Sequence, residues 1–251
     1  MRQPVSVIIP ILDSSDPRLQ ITIDSLDVQC QPGDEVVGVG CYEKATWERN
    51  GWFRRSSAGG VLSRAALLNR GVAAARNSVV LVCQPDCPMV PGAVDQARNA
   101  VESWPMLGIT CFLGRLPTER RLELRKAGHS ISPHDLPAVF QMSEDDQQEF
   151  TWLGNALAFH KRDLRSAGGF CEEFTGTGHR DGFAHDTLDR LAAVAQQGVR
   201  VNRHLKSFHL WHEVSQEDRD LEEKATRLLN MRRLERQESK WAPNQNYRRA
   251  V

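Results

Sequence analysis

Residues Val5 to Leu12 read VSVIIPIL, a nearly continuous, β-branched apolar run. A run without polar alternation is how a strand covered on both faces reads, and such strands belong to parallel sheets flanked by helices. Pro10 has no N–H to give to a ladder, so it marks the strand leaving its sheet. The loop Asp13-Ser14-Ser15-Asp16-Pro17 follows, with Pro17 suited to a first helical turn and Asp16 to its N-cap. Leu19, Ile23 and Leu26 then share one helix face. Gln29 to Gly33 ends that helix, and Glu35 to Gly40 (EVVGVG) is a second strand. Strand, helix and strand of these lengths make a βαβ unit.

The pattern continues along the chain. Leu62 to Ala75 has helical spacing at Leu62, Ala66 and Asn69. Val79 to Cys83 is the next buried strand, and it delivers Gln84-Pro85-Asp86-Cys87-Pro88 at its carboxyl end. Ligands of open parallel α/β sheets bind at that edge. Gly92 to Ser103 reads as an amphipathic helix and Met106 to Gly114 as a strand. Arg115 to Glu149 has no clean pattern; it is first basic, then acidic, and a connection of this length in a domain is usually functional or mobile. A glycine-bracketed apolar segment runs from Gly154 to Phe159, and a Gly168-Gly169-Phe170 turn follows. Leu188, Leu191, Ala192 and Ala195 mark a helix that ends at Gly198, Val199 to Val201 begins a strand, and Phe208 to His212 reads FHLWH. Ser215-x-x-Asp218 resembles a capping box and opens a last helix that turns Leu221, Ala225 and Leu228 inward. Trp241 to Val251 reads as a loose tail.

Lys+Arg and Asp+Glu both number 32 in 251 residues. A chain without excess of either sign carries no global nucleic-acid footprint. No apolar run approaches the ~20 residues of a membrane helix. The opening run is too short for a leader and reads as a strand. Six scattered cysteines in a chain of this size point to reduced thiols and a cytoplasmic location. Cys83 and Cys87 lack the second pair that a zinc site needs.

The stretch from Trp152 to His212 resembles the acceptor half of family 2 glycosyltransferases and their galactosyltransferase-like relatives. Those read GGNxAFRR, then GGFDExFxGWGxEDxDLxxRL, then a strand and a histidine-rich segment. The opening is similar too: VSVIIPILD, LQITIDSLDVQ and DEVVGVGCY stand against VSVIIPxYN, LxxTLxSLxxQ and DEIIVVDDGS. The resemblance implies an α/β GT-A fold, a Rossmann-like, mostly parallel sheet flanked by helices. It implies one domain over 1–251: a nucleotide-sugar half at 1–114, a variable insertion at 115–149, an acceptor half at 150–213, and a C-terminal helix and tail at 214–251.

The implied activity is transfer of a sugar from a nucleotide-diphosphate sugar, UDP-sugar favoured, to a hydroxyl acceptor such as a glycan or lipid-linked sugar, with inversion. Donor contacts fall on Pro10, Leu12, Asp13, Arg64, Asn69, Gln84, Asp86, Gly154 and Asn155. The family's base-holding aspartate after the second strand falls at Gly40 or Cys41. Its D-x-D metal motif falls on Gln84 and Asp86, so Gln84 stands where the first carboxylate would be. Mn²⁺ or Mg²⁺ would be held by Asp86 with His209 or His212, and one such histidine beside Asp86 makes Mn²⁺ the better match. Lys161-Arg162 matches a basic pair in the family.

Two registers compete for the general base. Counting from Phe174-Thr-Gly-Thr-Gly178 selects Asp181, after Arg180; counting back from the helix selects Asp186, after His185, and the second is favoured. The runner-up reading is a pseudo-glycosyltransferase that keeps the fold and serves as a binding or scaffold subunit. Arg232, Arg233, Arg236, Arg248 and Arg249 form a basic C-terminal region that suggests peripheral contact with an anionic membrane.

Overall fold

The computed structural model describes residues 2–14, 16–40, 53–57, 63–103, 112–114, 150–151, 156–174, 182–195, 206–208 and 216–238. In chain order these form β1 (Val5–Ile11), α1 (Pro17–Asp27), β2 (Glu35–Gly40), β3 (Phe53–Ser57), α2 (Arg64–Ala74), β4 (Val79–Cys83), α3 (Ala93–Ser103), β5 (Phe112–Gly114), β6 (Phe150–Thr151), β7 (Ala156–His160), α4 (Lys161–Ser166), α5 (Phe183–Ala195), β8 (Lys206–Phe208) and α6 (Gln216–Glu238).

Two sheets result. The larger has the order β3-β2-β1-β4-β7, and the smaller β6-β5-β8. In the larger sheet β3, β2, β1 and β4 are parallel, and β7 closes the edge antiparallel to β4. β1 is buried along its whole length, as its sequence requires. Val5, Val7, Ile9 and Ile11 pack with α1 and α3 on one face, while Ile8 packs with α2, α5 and α6 on the other. Both faces are therefore roofed by helices, the arrangement of a doubly wound sheet.

Pro10 does not take β1 out of the sheet, as expected from its missing donor, but out of half of it. The ladder to β2 runs on to Ile11 opposite Gly40, while the ladder to β4 ends at Ile8 opposite Val82. From Ile9 onward β1 and β4 part company. The expected strand from Met106 is described only as Phe112–Gly114, and the strand expected from Val199 lies outside the described residues.

Polar side chains at the amino edge hold the sheet together. The Asp34 carboxylate accepts from the amides of Val5 and Gln31 at 2.8 and 3.0 Å and from Arg98 Nη2 at 3.0 Å. Ser6 donates to Glu35 Oε1 at 2.6 Å, and that same oxygen accepts from the Arg76 amide at 2.6 Å. The acidic pair at the start of β2, Asp34 and Glu35, is thus architectural.

Gly71 lets α2 lie close on the sheet. A Cβ there would stand 2.3 Å from Ile8 Cγ2 and 2.9 Å from Val39 Cγ2. Both neighbours are buried, β-branched and stiff. Alanine would gain up to ~1 kcal/mol of helix propensity, but overpacking costs about 1–3 kcal/mol. Gly71→Ala is therefore expected to lower the urea midpoint of unfolding; an unchanged or higher midpoint would show that α2 can lift away freely.

Candidate functional site

The strand order turns at β1: the chain goes from β1 to β2 on one side and later to β4 on the other. At such a switch point the two following loops diverge and leave a crevice at the carboxyl edge. Here the β1–β4 ladder ends at Ile8 opposite Val82, and the switch point places the crevice beyond it. Pro10, Leu12 and Asp13 end or follow β1 on one side, and Gln84 and Asp86 follow β4 on the other. Leu12 and Asp13 are exposed, whereas Gln84 and Asp86 are buried. Arg64 is buried at the first position of α2, a helix that Ser63 caps by accepting from the Ala66 amide at 3.2 Å.

Gly40 faces the same edge from β2. A Cβ there would stand 1.9 Å from the backbone oxygen of Ile11. No side chain fits at position 40, so an acid there is sterically impossible; residue 41 lies outside the described residues.

The residue that reaches across the crevice is one the sequence reading passed over. Arg18 sits in the first turn of α1, behind Pro17. Its Nε donates to Asp16 Oδ1 and Oδ2 at 2.8 and 3.0 Å, and its Nη2 also donates to Asp16 Oδ2. Its Nη1 lies 3.8 Å from Asp86 Oδ2. Asp86 Oδ1 accepts from the Cys87 thiol at 3.4 Å. Burial opposes the guanidinium charge, yet the hydrogen bond and charge of Asp16, then the charge of Asp86, hold its pKa above the ordinary arginine value. One signal was available: a cation in a first helical turn opposes the helix dipole and so needs a local reason.

Asn69 does not line this crevice with a spare amide. Its Oδ1 accepts from the Phe170 amide at 2.8 Å, and its Nδ2 donates to Phe170 O and Glu172 Oε1 at 2.9 and 2.8 Å. It ties α2 to the turn at Gly168 and Gly169, whose φ values are +87° and +76°. Phe170 is thereby set edge-on between Phe159 and Phe183, at ring-centre distances of 6.0 and 5.7 Å.

Asp186 stands in the first turn of α5, as its register predicts. It is 0 % exposed. Its Oδ2 accepts from Arg190 Nε at 2.8 Å and its Oδ1 from Arg236 Nη1 at 2.7 Å. Arg190 Nη1 also donates to the Ala167 carbonyl. Both carboxylate oxygens are thus committed to arginines. The same clamp accounts for the basic C-terminal helix: Arg232 pairs with Glu173 at 2.6 Å, and Arg233 with Asp189 at 2.7 Å. These arginines dock α6 on the domain. Gly154, Asn155, Asp181, His209 and His212 lie outside the described residues. Ser207, two positions before His209, forms an antiparallel bridge with Met89, three positions after Asp86.

The described part of the crevice does not fit a divalent cation. Hard cations take several oxygen ligands, carboxylates foremost. Among the described residues no group of three metal-ligating side chains occurs. Asp86 supplies one carboxylate, Gln84 a neutral amide, and a guanidinium already faces the carboxylate.

No family model and no curated protein matches the chain. Solved structures do. A mannosyltransferase of Pyrobaculum calidifontis, in complex with GDP-Man and Mn²⁺, superposes with a TM-score of 0.57 at 16 % identity, over 85 % of this chain and 58 % of that one. TarS of S. aureus superposes with a TM-score of 0.57 at 17 % identity, over 90 % of this chain and 39 % of that one. A mycobacterial protein gives a TM-score of 0.59 at 18 % identity, over 89 % and 72 %. The chain has the GT-A fold. It spans less than two thirds of the mannosyltransferase and of TarS.

Removing one partner of a buried ion pair costs about 3–5 kcal/mol. Asp186→Asn, which removes the buried carboxylate that Arg190 and Arg236 share and leaves Arg236 with Asp189 at 3.3 Å, is expected to lower the chemical-denaturation midpoint sharply; a midpoint equal to wild type would show that Asp186 carries no structural load. A second expectation concerns pH. Burial, then Arg233, lowers the pKa of His185, with Asp189 opposing. The unfolded chain binds that proton more readily, so the contribution of His185 is complete above its unfolded pKa of about 6.5 and is lost as pH falls through the lowered folded value. His185→Gln should flatten the pH dependence of the melting temperature below about pH 6.5; an unchanged slope would exclude His185 as the source.

Proposed function

We propose that the chain transfers a sugar from a nucleotide-diphosphate sugar to a hydroxyl acceptor, with the donor diphosphate in the crevice between β1 and β4. The observation that carries this reading is the crevice itself: a switch point in a GT-A sheet, flanked by the loops after β1 and β4, with Arg18, Arg64, Gln84 and Asp86 gathered at its edge. Cationic groups at helix N-termini on this edge suit a phosphate ligand.

In this reading the acceptor oxygen attacks the anomeric carbon as the bond to the diphosphate breaks. A single displacement inverts the anomeric configuration. A carboxylate beside the attacking oxygen takes its proton, and positioning supplies much of the rate. With Asp186 engaged by two arginines, Asp181 is the carboxylate to which the base role falls. Gly154 and Asn155 remain candidate donor contacts by resemblance. A metal on Asp86 with His209 or His212 belongs to the same resemblance; no step is assigned to it, because the described donor set does not fit one. UDP and GDP are both candidate leaving groups, since Gly40 cannot carry an acid for the base. Glycans and lipid-linked sugars are the acceptor classes considered. No helix among the described residues is long and apolar enough to cross a membrane.

The scaffold reading rests on the neutral Gln84 and on the occupied carboxylate of Asp186. Nucleotide calorimetry and turnover separate the two. The transferase reading expects UDP or GDP to bind the folded protein, release of that diphosphate from its sugar donors in the presence of an acceptor, and turnover abolished by Asp181→Asn with nucleotide affinity kept. Binding without diphosphate release across glycan and lipid-linked acceptors would favour the scaffold. Failure of both nucleotides to bind a folded sample would sink the donor-site reading.

A further inference from the structure

We propose that Arg18 binds the donor diphosphate and supplies there the positive charge for which a divalent cation would otherwise be needed. The inference rests on the donor-site reading above and adds to it a specific role for Arg18 and a metal independence.

Three observations carry it. The first is position. Arg18 belongs to the β1 side of the crevice and Asp86 to the β4 side, and the guanidinium of one faces the carboxylate of the other at 3.8 Å. A cation bridging Asp86 to a phosphate would have to share that space with a group already bearing positive charge. The second is orientation. Asp16 holds the Nε and Nη2 edge of the guanidinium, which fixes its plane. The remaining nitrogen, Nη1, is enclosed and makes no hydrogen bond among the described residues. Its ion-pair partner Asp86, at 3.8 Å, lies beyond hydrogen-bond reach, and a phosphate oxygen is an acceptor whose geometry suits an arginine. The third is the charge balance of the crevice. Arg18 and Arg64 bring two cations to this edge, matching the carboxylates of Asp16 and Asp86, so Asp86 is balanced there by arginine without a metal. The partial positive charge of the α1 and α2 N-termini adds to it. Gln84, neutral where a second carboxylate would demand a metal, completes the set.

The role is binding and charge neutralisation on the leaving group; no covalent step is involved. A guanidinium cannot lose its proton in the working pH range, so this charge is always present, whatever the supply of metal.

The test is calorimetry of UDP and GDP, and of uridine and guanosine as controls, on wild type, Arg18→Met and Arg18→Lys. Each is measured in EDTA and in MnCl₂. The expected result has three parts. Wild type binds one diphosphate in EDTA with an affinity within about threefold of that in Mn²⁺, a difference under ~1 kcal/mol. Arg18→Met weakens that diphosphate roughly tenfold or more in EDTA, as the loss of a charged hydrogen bond predicts, and leaves the nucleoside unchanged, while Arg18→Lys recovers part of the loss. Mn²⁺ then restores affinity in Arg18→Met, where Asp86 has been uncovered, a gain that a merely structural role for Arg18 would not produce. Wild-type binding that disappears in EDTA and returns with Mn²⁺ overturns the inference while leaving the donor-site reading intact, and this arm does not depend on any variant folding. Equal diphosphate affinity of wild type and a folded Arg18→Met also overturns it. Absence of binding by folded wild type in both buffers removes the donor-site reading and the role of Arg18 with it.

Discussion

A strand paired on both edges by parallel neighbours and packed on both faces has no freedom left except at its ends. β1 is that strand. Because β2 and β4 are reached by crossovers in opposite directions, the loops that leave β1 and β4 cannot follow the same path. The gap between them is a geometric necessity of the strand order. The unequal ladders sharpen it: β1 stays with β2 to Ile11 and leaves β4 after Ile8. Pro10, lacking an N–H, falls inside that divergence, where a missing donor does the least harm.

The far edge of the sheet shows the opposite logic. There Asp34, Glu35, Ser6, Arg98 and the Arg76 amide exchange hydrogen bonds that link β1, β2, α3 and the chain entering β4. At the amino edge the charged side chains bridge neighbouring elements; at the carboxyl edge the described charged groups Arg18, Arg64 and Asp86 follow or flank the strand ends. That asymmetry is what separates a structural carboxylate such as Asp34 from one such as Asp86, although both are buried.

The framework was legible because its signals are local. The VSVIIPIL run became β1, Asp16 caps α1 as its type and position predict, and Asp186 fell in a first helical turn. What Asp186 and Asn69 do there was not legible, because their partners are remote in sequence. Arg236 stands 50 residues beyond Asp186, and Phe170 stands 101 residues beyond Asn69. A carboxylate at a helix start reads the same whether it faces an acceptor or an arginine brought in by another helix. Arg18 was hidden for the converse reason: its neighbour Asp16 makes the pair look like an ordinary helix cap, and only the fold brings Asp86 to within 3.8 Å. The basic character of α6 read as a surface property, yet each of Arg232, Arg233 and Arg236 finds an acid on the body of the domain.

The bridge between Met89 and Ser207 joins the two sheets through the segment that carries Asp86. Asp86 is therefore suspended: β4 anchors it on one side, and β8 of the smaller sheet on the other. Mechanically this is a beam fixed at both ends, not a loop hanging from one. A shift of β8 relative to the larger sheet would therefore act on the chain three residues from Asp86.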